Sequence, residues 1–240
     1  MTAATPSPST SGSSHSGPST SGRRRVGVLL SGRGSNMRAL HAATLTPGFP
    51  AEIVAVVSNR ADAGGLAFAA EAGIATATVD HRAFADRESF DRAVDAELAR
   101  QGVELITLAG FMRIFSPWFP ARWNGRMINI HPSLLPNYKG LHTHARALAD
   151  GVRIAGCTVH YVTADLDAGP IIAQAAVPVL PGDTPDSLAA RVLVAEHRLY
   201  PHALRLVAGG AAWLEGETVA YDPAVAHADA ERMIVPPLPG

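Results

Sequence analysis

Short, continuous apolar runs alternate with helical stretches along this chain, and the alternation limits the folds that it can adopt. Five runs rich in β-branched residues and leucine lie at residues 25–31, 53–57, 76–79, 104–109 and 127–130. Helical patterns fall between them, at about 35–45, 63–73 and 86–100. Strands that are apolar on both faces and separated by helices are typical of a parallel sheet covered on both sides. The sequence therefore predicts an α/β fold with a Rossmann-like, mostly parallel sheet and helices on both faces.

The second half of the chain carries a different strand pattern. Residues 158–162 and 171–179 alternate apolar and polar side chains more than the earlier runs do, and a turn joins them. We therefore expect antiparallel strands toward the C-terminal half, followed by a hairpin at 213–221. A helix should begin at Pro185, because Thr184 can cap it and proline is favoured at the first helical position. Its apolar stripe consists of Leu188, Val192, Ala195 and Leu199.

The first 22 residues differ in composition from the remainder. Eighteen of them are Ser, Thr, Gly or Pro, and none is Asp, Glu, Lys or Arg. Such a segment cannot bury enough apolar area to offset the entropy lost on ordering. We therefore expect a disordered tail over residues 1–22 and a single domain over residues 23–240.

The net charge and the cysteine count exclude several classes of function. The 20 Lys and Arg residues against 21 Asp and Glu give a net charge of −1, which removes the general attraction that nucleic-acid binding needs. The single cysteine, Cys157, cannot form an internal disulfide, and its apolar neighbours indicate a core position. No apolar run approaches the roughly 20 residues of a membrane helix. We expect a cytoplasmic protein that binds neither nucleic acid nor membrane.

A glycine-rich loop follows the first predicted strand, with the sequence Ser-Gly-Arg-Gly-Ser-Asn over residues 31–36. Glycines allow a tight turn, and free N–H groups at a helix start favour a phosphate. Ser35 and Asn36 can add side-chain hydrogen bonds. A dinucleotide-binding loop would place a third glycine at position 37, where this chain has Met37. The loop therefore fits a monophosphate better than a dinucleotide, and a plain tight turn remains the alternative.

Asn129 and His131 form the most informative pair in the sequence. They lie two residues apart at the end of a predicted strand, so their side chains emerge on the same face. An amide donor beside an imidazole suits a developing oxyanion, and the imidazole can also transfer protons near neutral pH. Pro132 ends the strand directly after this pair. The alternative is a histidine that only makes hydrogen bonds to nearby backbone.

Asp165 and Asp167 lie in a turn before a later predicted strand. Taken alone, ordinary turn chemistry accounts for both, because Asp is favoured in turns for its local hydrogen bonds. If Asp167 faces His131, its carboxylate would orient the ring and favour the protonated form.

Three further polar residues, His142, His144 and Glu196, could belong to a binding site. His142 and His144 have the spacing of metal ligands, but no cluster of acids or cysteines accompanies them, so we expect no metal. Glu196 lies at the margin of an apolar helical stripe, where carboxylates are rarely buried without a partner. It is either solvated or directed into a cleft, where it would hold a cation or hydroxyl groups.

Several of these segments together resemble one family, the phosphoribosylglycinamide formyltransferases. The resemblance runs from about residue 25 to about residue 221, and its motifs lie at 31–36, 108–113, 129–136, 140–144 and 166–170. It implies transfer of a formyl group from 10-formyltetrahydrofolate to the amine of 5′-phosphoribosylglycinamide in purine biosynthesis. The resemblance further implies small-molecule substrates, no metal, and a monomer or homodimer.

Family roles carry over to matching positions of this chain. The implied catalytic residues are Asn129, His131 and Asp167. The implied substrate-binding residues are Gly34, Ser35 and Asn36 for the phosphate, and Leu193, Val194, Ala195 and Glu196 for the ribose side. The implied folate-binding residues are Arg87, Met112, Arg113, Ile114, Phe115, Asn129, Thr163, Ala164, Asp165, Leu166 and Asp167. Two positions depart from the family pattern, Phe115 where a smaller aliphatic is expected and Ala168 where glycine is common.

Three other functions compete with this interpretation. Methionyl-tRNA formyltransferases share the Asn-x-His motif, but they carry a further C-terminal domain and a basic surface for tRNA. A net charge of −1 does not favour such a basic surface. Formyltetrahydrofolate hydrolases carry an N-terminal regulatory domain, where this chain has the segment 1–22. A nucleotide-binding module or NAD-dependent dehydrogenase is disfavoured by Met37 and by the lack of a suitable acid after the second strand.

Overall fold

An eight-stranded sheet runs through the molecule. The computed structural model describes residues 22–225 and the two residues 234–235, so the tail predicted for 1–22 lies, apart from Gly22, outside the described residues. The strands are β1 (Arg24–Leu30), β2 (Ala51–Ser58), β3 (Ala75–Thr78), β4 (Leu105–Leu108), β5 (Met127–His131), β6 (Ile154–Tyr161), β7 (Ile171–Pro178), β8 (Ala212–Glu215), β9 (Thr218–Tyr221) and β10 (Ile234–Val235). The sheet has the order β10-β7-β6-β5-β4-β1-β2-β3, and β8 and β9 form a separate hairpin.

The direction of the strands divides the sheet into two halves. From β3 across β2, β1 and β4 to β5, all neighbouring strands are parallel. From β5 through β6 and β7 to β10, all neighbours are antiparallel. The predicted fold class is therefore confirmed, with the change of direction at β5. The short edge strand β10 was not predicted, because two residues carry no readable period.

Six α-helices connect these strands within the described residues: α1 (Ser35–Thr44), α2 (Gly64–Glu71), α3 (Arg87–Arg100), α4 (Trp118–Arg122), α5 (Thr143–Ala149) and α6 (Pro185–Ala208). The start of α6 is as the sequence predicts, since the Thr184 side chain accepts from the Ser187 N–H and Pro185 opens the first turn. Helices α4 and α5 were not predicted, because five and seven residues are too few to show a helical period.

The core lies on both faces of the sheet. On one face, Leu188, Val192 and Leu199 of α6 are buried against residues of β5, β6 and β7. On the other face, Phe90, Val94 and Leu98 of α3 pack against β1, β2 and β4. Burial on both sides explains why the parallel strands are continuously apolar.

The topology brings three loops to one edge of the sheet. The chain adds β2 and β3 on one side of β1 and then returns to place β4 on its other side. In open α/β sheets, ligands bind beyond the carboxyl ends of strands at such a switch point. The loops that follow the parallel strands β1, β4 and β5 leave from this end of the sheet, so the glycine-rich loop lies at the same end as Asn129 and His131. Within the described residues, no helix is long and apolar enough to cross a membrane.

Candidate active site

His131 and Asp167 form a close pair at the end of β5. The His131 Nδ1 atom lies 3.4 Å from Asp167 Oδ2, and both side chains are largely buried. The His131 Nε2 atom lies 2.9 Å from the Tyr138 carbonyl oxygen, so this nitrogen carries a hydrogen that it donates. Each ring nitrogen therefore faces an oxygen acceptor. This arrangement accommodates an imidazole that carries both hydrogens.

The loop between β6 and β7 brings Asp167 to this position. Its backbone is left-handed, with φ of 47°, a conformation that Asp tolerates better than most residues. Its Oδ2 atom also accepts the Gly140 N–H at 2.9 Å, which ties the loop to the segment after β5. A Cβ at Gly169 would lie 1.8 Å from the Tyr161 carbonyl oxygen, so glycine is required for the loop to pass this close.

His160 joins the cluster and was not predicted from the sequence. It lies on β6 directly opposite Asn129 on β5, and its Nε2 atom is 3.3 Å from Asn129 Nδ2. Its Nδ1 atom donates to the Tyr161 carbonyl oxygen at 2.8 Å, which fixes the tautomer. Burial lowers the pKa of His160, so the ring is neutral and Nε2 accepts from the amide. One Asn129 hydrogen is thereby held, and the other is left for the site.

The sequence does contain a signal for His160. Thr158 and His160 are polar residues two apart in a strand that is otherwise apolar, so both side chains lie on one face. A polar pair in a buried strand needs partners, and the partner strand is β5, which carries Asn129 and His131. Finding this pairing from sequence requires knowledge of which strands are neighbours.

The glycine-rich loop forms an open helix N-terminus. Gly34 has φ of 74°, and a Cβ there would lie 2.9 Å from the Gly65 Cα atom, so only glycine fits. The first helical hydrogen bond of α1 runs from the Arg38 N–H to the Gly34 carbonyl oxygen. In the described part of the chain, the N–H groups of Ser35, Asn36 and Met37 have no hydrogen-bond partner. Three free donors at a helix start can hold a phosphate.

Asn36 and Glu196 connect this loop to α6. The Asn36 Nδ2 atom donates to Glu196 Oε2 at 2.6 Å, although 160 residues separate them in sequence. Glu196 is only 7% exposed, and burial raises the pKa of its carboxyl group. The sequence allowed Glu196 to be either solvated or directed into a cleft, and its burial excludes the solvated alternative. Leu193, Val194 and Ala195 precede it on α6, and Val194 is 64% exposed.

A cleft lies beside Asn129 and His160, between the segment after β4 and the loop before β7. Eight of the predicted folate-binding residues lie in its walls. The segment after β4 contributes Arg113, Ile114 and Phe115, and the loop before β7 contributes Thr163, Ala164, Asp165, Leu166 and Asp167. Arg87 does not line this cleft; it is the exposed first residue of α3. The Met112 side chain also lies outside it and is 65% exposed.

Phe115 belongs to a stack of parallel rings that forms the floor under this segment. Its ring centroid lies 4.4 Å from that of Phe119 and 5.3 Å from that of Phe111. Phe111 in turn stacks on Phe90 of α3. The aromatic residue at position 115 thus replaces a smaller aliphatic by joining an existing stack.

The remaining candidates from the sequence do not form a second site. Among the residues that the structure describes, no group of three His, Cys, Asp or Glu side chains is arranged to hold a metal ion. His142 is exposed, whereas His144 is half-buried and its pKa is lowered by burial. Cys157 is fully buried, and burial raises the pKa of its thiol, so it is an unreactive core residue as predicted.

Comparison with known proteins gives the class to which this fold and site belong. A family model described as formyl transferase matches residues 24–204. That range holds the glycine-rich loop, the Asn129, His131 and Asp167 cluster and most of α6. The chain belongs to the formyl transferase family.

Individual relatives narrow the class further. The phosphoribosylglycinamide formyltransferase of Escherichia coli (strain K12) is 48% identical over 197 residues, which cover 79% of this chain and 93% of that protein. The crystal structure of phosphoribosylglycinamide formyltransferase from Brucella melitensis is 58% identical, with a TM-score of 0.75 over 78% of this chain and 97% of that one. The resemblance stated from the sequence motifs is therefore confirmed.

In a group of longer relatives, the matching region is only one part of the protein. The trifunctional purine biosynthetic protein adenosine-3 of Bos taurus is 50% identical over 189 residues, which are 79% of this chain. These residues are 19% of the bovine protein, and the matched share of the insect trifunctional relatives is 14–15%, so the chain spans a fifth or less of the length of these relatives.

Proposed function

We propose that this protein transfers a formyl group from 10-formyltetrahydrofolate to the amine of 5′-phosphoribosylglycinamide, as a step of purine biosynthesis. The observation that carries the proposal is the His131 and Asp167 pair, 3.4 Å apart, beside a cleft that Asp167 lines and at the end of the sheet where α1 also begins. The helix start suits a phosphate monoester and the cleft suits a flat, partly apolar donor. The reacting groups would meet where Asn129 and His131 end β5.

The substrate side of the proposal rests on the first turn of α1. Gly34, Ser35 and Asn36 would hold the phosphate through backbone N–H groups and the helix dipole. Glu196 would accept from ribose hydroxyls, because its buried carboxyl group already makes a hydrogen bond at this point. Leu193, Val194 and Ala195 would contact the ribose side along α6.

The folate side of the proposal rests on backbone as much as on side chains. In the described part of the chain, the backbone N–H and C=O groups of residues 113–115 make no hydrogen bond. The Met112 and Ile114 side chains are exposed beside them. These residues and the facing loop 163–167 offer donors, acceptors and apolar surface to a pterin ring. Arg87 lies at the start of α3 and does not line the cleft, so its proposed contact with folate rests on the family resemblance alone.

The proposed chemistry is direct attack by the amine. The neutral amine nitrogen bonds to the formyl carbon, and the carbonyl oxygen becomes a tetrahedral oxyanion. Asn129 donates to it through the amide hydrogen that His160 does not hold, and His131 donates through Nε2. The carbon–nitrogen bond to folate then breaks, and a proton passes through water from the new ammonium to the departing folate nitrogen. No formyl-enzyme is formed.

His131 can act in this way only if its Nε2 hydrogen changes partner. In the structure that hydrogen is directed at the Tyr138 carbonyl oxygen. Tyr138 has a left-handed backbone with φ of 57°, so the turn that carries this carbonyl is conformationally unusual. We propose that the oxyanion takes the place of the carbonyl, while Asp167 keeps Nδ1 and balances the charge of the ring.

The test is to follow loss of the formyl group from 10-formyltetrahydrofolate with and without 5′-phosphoribosylglycinamide. We expect turnover only when the ribonucleotide is present, with one formylated ribonucleotide formed per folate deformylated. Folate deformylation without the ribonucleotide would instead indicate a hydrolase. The His131→Ala variant is the control for contaminating activity. The cytoplasmic location and the monomeric or dimeric state inferred from the sequence remain predictions.

A further inference from the structure

Residues 110–116 form a stretch outside the sheet and the helices, which we name the folate segment. Its residues alternate in exposure, with Phe111, Arg113 and Phe115 half-buried and with Met112 and Ile114 exposed. In the described part of the chain, its central residues 113–115 make no backbone hydrogen bonds. The shape that it presents to a ligand must therefore be set by the ring stack beneath it and by its two ends.

Ser31 holds the first end of the folate segment with two hydrogen bonds, and a third connects its hydroxyl to Asn59. Its N–H donates to the Gly110 carbonyl oxygen at 3.0 Å, and its Oγ atom accepts the Met112 N–H at 2.8 Å. The Ser31 hydroxyl donates to Asn59 Oδ1 at 2.6 Å, which directs an oxygen lone pair at the Met112 amide. Gly110 has φ of 77°, so this serine bridges both sides of a left-handed turn. Ser31 and Asn59 are 8% and 5% exposed.

Asp91 holds the other end from α3. Its Oδ2 atom accepts the Ser116 N–H at 2.7 Å and the Ser116 hydroxyl at 2.6 Å. Asp91 is fully buried, and its Oδ1 atom has no hydrogen-bond partner among the residues that the structure describes. Burying a carboxylate costs free energy that an apolar residue would not. The structure thus uses a costly group to fix one backbone position, at the point where the folate segment enters α4.

We infer that Ser31 and Asp91 are positioning residues that hold the folate segment in its binding conformation from its two ends. Ser31 is also the first residue of the glycine-rich loop, so one buried side chain connects the phosphate side of the site to the folate side. Neither residue lines the cleft, and neither is among the residues that the family resemblance assigns. The inference rests on the proposed function, because it names the folate as the ligand that the segment serves.

Steady-state kinetics test this role through the two Michaelis constants. Ser31→Ala removes the two hydrogen bonds of the hydroxyl, to the Met112 N–H and to Asn59 Oδ1, and we expect the KM for 10-formyltetrahydrofolate to rise about tenfold. The KM for the ribonucleotide should stay within about twofold and kcat within about threefold, because the catalytic groups are not touched. Ser116→Ala, which keeps the Ser116 N–H bond to Asp91, should raise the folate KM by a smaller factor. An unchanged folate KM in both variants would overturn the inference.

Thr44→Val is the matched control. Thr44 is 3% exposed, and its hydroxyl donates to the His41 carbonyl oxygen within α1, away from the folate segment. This variant loses one hydroxyl hydrogen bond where Ser31→Ala loses two, so its stability should fall by a comparable or smaller amount. Both Michaelis constants should stay at the parent values. Equal changes in folate KM for the two variants would reduce the role of Ser31 to stability and would overturn the inference.

Amide hydrogen exchange reads the same contacts without any ligand. In the parent protein the Met112 and Ser116 amides are hydrogen-bonded and should be protected. Ser31→Ala should accelerate exchange at Met112 and leave Ser116 unchanged, whereas Asp91→Leu should do the reverse. If the parent protein transfers no formyl group, the proposed function fails, yet these exchange rates still decide whether the two residues hold the segment. Unchanged exchange at Met112 in Ser31→Ala would contradict the inference in either case.

Discussion

Two buried carboxylates at the same edge of the sheet have contrasting surroundings. Asp167 faces the Gly140 N–H at 2.9 Å and lies near two imidazole rings, with His131 Nδ1 at 3.4 Å and His160 Nε2 at 3.9 Å. Within the described ranges, Glu196 has a single hydrogen-bond partner, Asn36, and burial raises the pKa of its carboxyl group. The same functional group can therefore serve two roles, set by environment. Asp167 is placed to balance charge, and Glu196 is placed to exchange hydrogen bonds with a polar ligand.

The largest expected effect lies on the Asp167 side of this comparison. His131→Ala and Asn129→Ala each remove one donor to the oxyanion, which typically lowers kcat by about 10²–10³-fold. Single-turnover rates with both substrates saturating measure this loss directly. Circular dichroism must show that the variants remain folded. Near-normal rates in either variant would remove that residue from the mechanism.

Replacing each carboxylate by the corresponding amide tests most directly whether Asp167 and Glu196 have different roles. Asp167→Asn keeps the size of the side chain but removes the charge beside His131, and hydrogen bonds to charged groups are worth about 1.5–3 kcal/mol. We expect kcat to fall roughly tenfold to a hundredfold. Glu196→Gln, the matched change, should leave kcat within about threefold, because this carboxyl group does not contact His131. Equal losses of kcat in the two variants would show that the environments do not separate the roles.

The phosphate side gives a smaller and more specific effect. Asn36→Ala removes the amide that connects the glycine-rich loop to Glu196, and it leaves the cleft beside Asn129 intact. We expect the ribonucleotide KM to rise about tenfold, as for the loss of one hydrogen bond to a charged group. The folate KM should not change. Steady-state titration of each substrate checks this, and a loss confined to folate affinity would contradict the assignment of the loop.

The parts of the site that were predicted from the sequence depend on local geometry. Asn129 and His131 could be paired because residues two apart on a strand share a face, and the helix start at Ser35 followed from the glycines before it. The left-handed backbone of Gly34 agrees with that local argument. These inferences need no knowledge of which strands are neighbours.

The parts that were missed depend on contacts between distant segments. His160 entered the site because β6 pairs with β5 in a register that sets it opposite Asn129. Asn36 and Glu196 meet across 160 residues, and Ser31 and Met112 across 81. Pairing order and register are not encoded in any short window of sequence.

The smallest expected effect is a change in the pH dependence of the free energy of unfolding caused by Glu196. In the unfolded chain this carboxyl group loses its proton near pH 4.5, whereas in the folded protein its raised pKa delays the loss. The contribution of Glu196 to stability is thus present below about pH 4.5 and is lost as pH rises through the raised value. Glu196→Gln cannot ionise and avoids this loss.

Glu196→Gln should therefore be increasingly favoured over the parent protein as pH rises from 4.5 to neutral. Denaturant unfolding at several pH values measures the difference, provided that no ribonucleotide is present. Gln retains an oxygen that can accept from Asn36, so the hydrogen bond at the helix start is kept. Glu217→Gln, at an exposed turn residue, is the matched control and should change stability by no more than about 0.5 kcal/mol. A difference between Glu196→Gln and the parent that stays constant with pH would mean that burial does not raise the pKa of this carboxyl group, and the contrast between the two carboxylates would fail.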